Sequence, residues 1–184
     1  NHFTTHPEPI RHIYASPLDR AHHTARPIAA RFGLEPQLVP DLAEFDLGAW
    51  EGTSFHTLFE ERRLFHHMKQ DPHFAPHGGE SPSQVGLRLS GALRRIAGQH
   101  PGERVVVVTH GGLIYQVERR FGAPFERMSN LGARWIELRR GEWHLGDRVD
   151  LLRRLAENVE VVLVLSQALE YALAVRDVER HVDA

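Results

Sequence analysis

Four consecutive β-branched residues, Val105-Val106-Val107-Val108, run into Thr109-His110-Gly111-Gly112, and no other stretch of the chain narrows the fold as far. Such a run suits a strand buried on both faces, which places it at the centre of a parallel sheet. Open α/β sheets bind ligands beyond the carboxyl ends of their strands, so His110 stands where chemistry is expected. Gly111 and Gly112 let the backbone turn sharply and bring bare N–H groups close to a ligand. Leu113, Ile114, Val117 and Phe121 then recur at helical spacing, with Gly122 as the expected stop.

Upstream, Arg11 to Ala15 reads as a short strand that feeds a helix. Ser16 is the expected N-cap, Pro17 the first helical residue, and Asp19 closes a capping box. Ala21, Thr24, Ala25, Ile28, Ala29 and Phe32 keep the helical period up to Gly33. A strand that runs into a helix start puts unpaired N–H donors and the positive dipole end at the strand tip. Arg20 lies in that first turn, and its planar fork suits a phosphoryl group; solvation on the helix surface is the ordinary alternative.

Leu42 to Gly52 follows Pro40 and reads as a strand end and a glycine-bent loop. It carries Glu44, Asp46 and Glu51, three candidates for proton transfer in a place where acids are usually surface charges. A helix is predicted over 55–68, then a Pro/His/Gly loop over 71–79. Ser81-Pro82-Ser83-Gln84 opens another helix with a capping box, and Gly98 is its expected end. Trp135 to Leu138 and Trp143 to Leu145 flank Arg140-Gly141-Glu142 as a hairpin at a sheet edge. The alternation of strands and helices predicts a three-layer α/β/α sandwich around a mostly parallel sheet. Residues 1–146 are expected to form that domain and 147–184 a C-terminal appendage packed on it.

The bulk numbers remove several functions. A net charge of -2 gives no electrostatic case for nucleic acid or a membrane surface. Absence of cysteine excludes disulfides and thiolate sites. No run of about 18 apolar residues marks a membrane span and no secretory signal opens the chain, so a cytoplasmic home is expected. Of the 14 histidines, four fall in adjacent pairs (His22-His23, His66-His67) and two flank Pro76 in a loop (His73, His77). None has metal-ligand spacing, so neither a metal nor another cofactor is expected.

Taken in order, Ser16-Pro17-Leu18-Asp19-Arg20-Ala21 with Thr24-Ala25, then Leu42-Ala43-Glu44 with Gly48-Ala49-Trp50-Glu51-Gly52, then Gly79-Glu80-Ser81, then Thr109-His110-Gly111-Gly112 closely resemble the histidine phosphatase superfamily, with its phosphoglycerate-mutase-like fold. The likeness runs from about Ile13 to about Leu145. It implies that Arg20 binds the phosphoryl group, Glu44 donates the proton to the leaving alcohol, and His110 holds the transferring phosphoryl. Protonated His110, Arg20 and the Gly111 N–H would then surround its three equatorial oxygens. The implied activity is hydrolysis of a small phosphomonoester, and the connection from Gly52 to Gly79 is short for a mutase of the family. The expected partner is a small phosphorylated metabolite, with a homodimer as the assembly to test.

One family element has no counterpart. The nucleophile implied by the resemblance is a histidine in an Arg-His-Gly motif upstream of Ser-Pro-Leu, and Asn1–Arg11 contains no such motif. Either that segment is missing or the tail takes its place. Val159 to Leu165 suits a buried strand in the first strand's position, but it leads into Ser166-Gln167, and Arg180-His181 is a poorer echo without the glycine. For the tail, an added strand and helix is the simpler expectation. The rival function is a non-catalytic phosphate-binding or oligomerising domain that kept the pocket without the nucleophile.

Overall fold

The computed structural model describes residues 10–150 apart from Phe55, together with the backbone of 163–165. Residues 1–9, the end of the tail and His181 lie outside these residues.

Strand β3 (Val105–Thr109) takes the central place expected of it. On one side it pairs in parallel with β1 (His12–Ala15), which pairs in turn with the two-residue edge strand β2 (Gln37–Leu38). On the other side β3 pairs in parallel with β6 (Leu163–Leu165), Thr109 lying opposite Leu165. The antiparallel hairpin β4 (Gly132–Arg139) and β5 (Glu142–Asp150) completes a six-stranded sheet in the order β2-β1-β3-β6-β4-β5. Its turn is shorter than the expected three residues. Arg139 pairs with Glu142 across Arg140-Gly141, and both turn residues have positive φ (51° and 84°), as a tight right-twisted hairpin requires.

The alternating valines of β3 separate the two helical layers. Val106 and Val108 join Ile13 and Ala15 against Ala21, Ala25 and Ala29 of helix α1 (Asp19–Arg31). Val107 and Tyr14 point to the opposite face, against Val85, Leu89, Leu93 and Ile96 of α3 (Pro82–Gln99) and Leu113, Ile114 and Val117 of α4 (Gly111–Arg120). Three alanines on α1 let it approach the sheet closely, whereas the second face is filled by larger side chains. The expected three-layer α/β/α sandwich is the fold observed.

Local details depart from the sequence reading. The helix predicted over 55–68 is split into a wide turn, Thr57–Glu61, and α2 (Leu64–Gln70), separated by Arg63 at φ 48°. Leu58 and Leu64 are both buried, yet six residues place them about 120° apart around a straight helix. The break turns both inward. Helix α3 has the predicted capping box, with Gln84 N–H donating to Ser81 Oγ and Ser81 N–H to Gln84 Oε1, but it continues through Gly98 to Gln99. Among the described residues, no helix is long and apolar enough to cross a membrane.

Candidate active site

The carboxyl ends of β1 and β3 lie side by side, and each presents a polar side chain at its tip. Ser16 does not cap α1 as expected. Its N–H still donates to the Val108 carbonyl at 2.9 Å, so the residue belongs to the sheet ladder and the helix begins three residues later, at Asp19. The freed hydroxyl accepts from Leu18 N–H at 3.2 Å and meets His110 Nε2 at 2.7 Å. Both residues are fully buried, His110 with 1% of its surface exposed. His110 Nδ1 has no hydrogen-bond partner. Burial, seconded by the charges of Arg20 and Arg88, pushes His110 down to about 3, so the ring is neutral near pH 7 rather than the protonated imidazole expected.

Glu44 is fixed at the start of α4. Its Oε2 accepts the Gly112 N–H at 3.2 Å and its Oε1 the Phe45 N–H at 3.0 Å. A Cβ on Gly112 would stand 2.4 Å from Glu44 Oε1, so the second glycine of the His-Gly-Gly motif is what makes room for the carboxylate. Burial raises the Glu44 carboxyl above its usual range, outweighing those two N–H groups and the charges of Arg20 and Arg88. Gly111 is the first residue of α4, so its N–H is one of the donors that the helix itself leaves unpaired. Arg20 lies in the first turn of α1, half-buried, near enough for its charge to act on both Glu44 and His110. Arg20, Glu44, His110 and Gly111 are thus brought to one place.

Sequence reasoning missed Arg88, which organises the loop behind Glu44. Its guanidinium donates to Asp41 O at 2.7 Å, Ala43 O at 2.8 Å and Glu44 O at 3.0 Å. Two further bonds of 2.7 Å join it to both carboxylate oxygens of Glu80. Glu80 also accepts from Asp46 N–H at 3.0 Å, and the Arg88 pairing holds its carboxyl below the usual range. Glu80 is therefore a brace rather than a proton donor. The only sequence signal for Arg88 was its place two turns beyond the Ser81 cap, on the helix face that follows Glu80. Glu51 is exposed and accepts the Leu47 N–H at 2.8 Å, a bond within its own loop. The glycines of this region serve close backbone approach: a Cβ on Gly48, at φ 52°, would meet His77 O at 2.4 Å.

Residues 3–151 match the histidine phosphatase superfamily (branch 1). The chain belongs to that superfamily. This histidine phosphatase chain is 37% identical over 141 residues to phosphoglycerate mutase-like protein 4 of Arabidopsis thaliana, covering 72% of itself and 61% of that protein. It is 35% identical over 138 residues to a metal-independent phosphoserine phosphatase of the same plant, covering 71% of itself and 58% of the relative. It therefore spans about three fifths of the length of these relatives. Among solved structures it resembles mycobacterial glucosyl-3-phosphoglycerate phosphatase in complex with inorganic phosphate, with a TM-score of 0.64, 25% identity, and 75% and 76% of the two chains covered. Bacillus stearothermophilus YhfR gives a TM-score of 0.65 at 28% identity over 74% and 72% of the two chains.

Proposed function

We propose that this chain carries the phosphoryl-binding and proton-donating half of a phosphomonoesterase site for a small phosphorylated metabolite. The domain expected over 1–146 would hold the pocket, and the described part of 147–184 is built into its sheet, as the end of β5 and as β6 between β3 and β4. The observation that carries the reading is the convergence of Arg20, Glu44 and His110 at the carboxyl ends of β1 and β3.

The chemistry follows from the hydrogen bonds. In this reading Ser16 Oγ accepts from Leu18 N–H and donates its own proton to His110 Nε2, with the ring proton on Nδ1, the nitrogen without a partner. A buried unpaired donor costs about 1–3 kcal/mol, and a phosphoryl oxygen would relieve that cost. The Arg20 fork and the Gly111 N–H supply the remaining positive potential for phosphoryl transfer. Glu44, raised by burial, holds a proton more readily than an ordinary carboxyl and is the donor for the departing alcohol oxygen. In the complete reaction a histidine nitrogen attacks phosphorus as the alcohol leaves with that proton, and water then releases phosphate from the phosphohistidine.

His110 is not that nucleophile. An in-line attack comes from the side opposite the leaving oxygen, whereas His110 is held to Ser16 as a donor to the phosphoryl oxygens. The residues after β6 read Ser166-Gln167, not Arg-His-Gly, so the purified chain should bind oxyanions and turn phosphoesters over slowly. Vanadate titration and turnover of a chromogenic phosphoester test this together. Arg20→Ala should weaken vanadate binding by about 1.5–3 kcal/mol, roughly 10- to 150-fold, while Arg94→Ala on the exposed side of α3 leaves it unchanged. Equal losses for the two variants would remove the pocket from this place. Fast turnover abolished by His181→Ala would put a nucleophile in the tail. Vanadate binding with no turnover at all would favour the non-catalytic phosphate-binding domain.

A further inference from the structure

A strip of aromatic rings leads away from Glu44 beside α4, and the phosphoryl chemistry does not use it. Glu44 and Phe45 pack on the face of α4 that carries Gly112, where a Cβ would stand 2.4 Å from Glu44 Oε1 and 3.0 Å from Phe45 Cδ2. Tyr115 lies three residues further on, so it shares that face, and a helical side chain leans back toward the helix start. From Tyr115 the rings follow one another. Phe125 has its centroid 4.8 Å from Tyr115, Phe65 lies 6.4 Å from Phe125, and Phe59 lies 4.0 Å from Phe65. Phe125 and Phe65 are 70% and 51% exposed, so the strip faces solvent.

Backbone strain helps to assemble this strip. Phe59 and Phe65, six residues apart, would stand about 120° from each other around a straight helix. The break at Arg63, a non-glycine residue at φ 48°, lies between them, and their rings meet. Residues held in such left-handed backbone cluster at ligand clamps and active sites. Phe125 comes from another element, the loop after α4. That loop is tied to the same ring system, because Met128 N–H donates to Tyr115 Oη at 3.0 Å.

We propose that this strip seats the organic part of the substrate, and that the substrate is the phosphomonoester of an aromatic alcohol. The inference rests on the reading of Glu44 as proton donor. A donor has to lie against the departing oxygen, so the carbon bonded to that oxygen emerges beside Glu44. Phe45 and Tyr115 flank that place, and the remaining rings continue it outward. Offset or edge-to-face contact between rings favours an aromatic group over a saturated chain. A substrate with a carboxylate or a second phosphate would instead call for an uncommitted cation in the same place. Arg88, behind Glu44, is held by three carbonyls and Glu80. Arg119, one turn beyond Tyr115, donates to the carbonyls of Met68 and Lys69, and Arg62 lies 4.9 Å over the Trp50 ring.

The test titrates the full chain calorimetrically with benzylphosphonate, methylphosphonate and 2-carboxyethylphosphonate. The three share one head, and a carbon replaces the ester oxygen in each, so turnover does not enter the measurement. Benzylphosphonate should bind about tenfold more tightly than the other two. Phe125→Ser and Phe65→Ser should bring the benzyl-to-methyl ratio close to one, whereas Leu87→Ser, at a position 75% exposed on α3, should keep the parent ratio. Arg20→Ala should weaken all three ligands alike. Thermal unfolding of each variant verifies that it folds. Equal affinity for benzyl and methyl, a ratio indifferent to both phenylalanines, or a preference for the carboxyethyl ligand would overturn the strip as a leaving-group site and leave the phosphoryl pocket standing. Binding of none of the three, or binding indifferent to Arg20→Ala, would remove the pocket and this inference with it. Sedimentation covers the other occupant: a dimer dissociated by Phe125→Ser at an unchanged benzyl-to-methyl ratio would assign the strip to a second copy of the chain and overturn the proposal.

Discussion

At the carboxyl end of β3, His110 is 1% exposed, is bonded to a serine hydroxyl, and has arginines as its charged neighbours. At the amino end, His12 and His100 are 29% and 12% exposed and face a carboxylate. The same side chain therefore lies among arginine charges in one place and against a carboxylate in the other. The difference follows from what closes each end. Helix α4 begins directly after His110 and the Arg88-braced loop brings Glu44 to its first turn, whereas among the described residues the short α3–β3 connection, through Glu103, lies against His12 and His100. A pocket for an anion needs positive potential and excluded water, and only the carboxyl end has both.

Acid provides the strongest challenge to this contrast. His110 titrates near 6.5 when unfolded and at about 3 when folded, so between these values the unfolded chain binds more protons and stability falls as pH falls. At about 1.4 kcal/mol per unit the full window is worth on the order of 5 kcal/mol. Glu44 works in the opposite sense, because its raised folded value means that acid removes the cost of burying its charge. Replacing His110→Asn should flatten the stability–pH slope between pH 6.5 and 5 relative to the parent, as measured by denaturant unfolding at each pH. Other histidines cancel in the difference. Identical slopes would mean that His110 is solvated like its counterparts at the amino end.

Removing the brace should have the next largest effect. Arg88→Ala deletes five charge-assisted bonds and leaves Glu80 and three carbonyls without their donor. The loss expected is about 3 kcal/mol, somewhat below that for a fully buried pair because Arg88 and Glu80 are 18% and 24% exposed. Arg88→Lys should recover little of it, since a point charge cannot reproduce the fork. Unfolding midpoints of both variants check this, and a full recovery with lysine would show that charge rather than geometry holds the loop.

The two ends also differ in how far the sequence disclosed them. The carboxyl end announces itself locally: the valine run fixes β3, and His110-Gly111-Gly112 marks its tip. Helix caps and hydrophobic periodicity likewise give α3 and α4 to within a residue or two. Arg88 was hidden because its partners are main-chain carbonyls of residues 41–44, and carbonyls leave no mark in a sequence. Ser16 was misplaced because a serine before a proline satisfies the rules for a helix cap and for a turn leaving a strand; only the bond to Val108 decides between them. The amino-end cluster was invisible for a third reason. His12 and His100 are 88 positions apart (100 − 12), and the parallel register of β1 on β3 is what unites them.

The smallest effect expected is at the amino end. Tyr14 is 5% exposed, and its hydroxyl joins His100 Nε2 at 2.8 Å and Gln99 Oε1 at 3.3 Å. Tyr14→Phe keeps the ring in its place among Leu89, Leu93 and Val107 and removes only that oxygen. A neutral hydrogen bond contributes about 0.5–1.5 kcal/mol, and the His100 nitrogen left behind lies close enough to the surface for water to replace part of it. We therefore expect a loss of about 1 kcal/mol, or roughly 2–4 °C in thermal midpoint for a chain of this size. A loss as large as that of Arg88→Ala would show that the amino end is closed as tightly as the carboxyl end. Exposure would then no longer separate the two groups of histidines, and the charge around them would be the one distinction left.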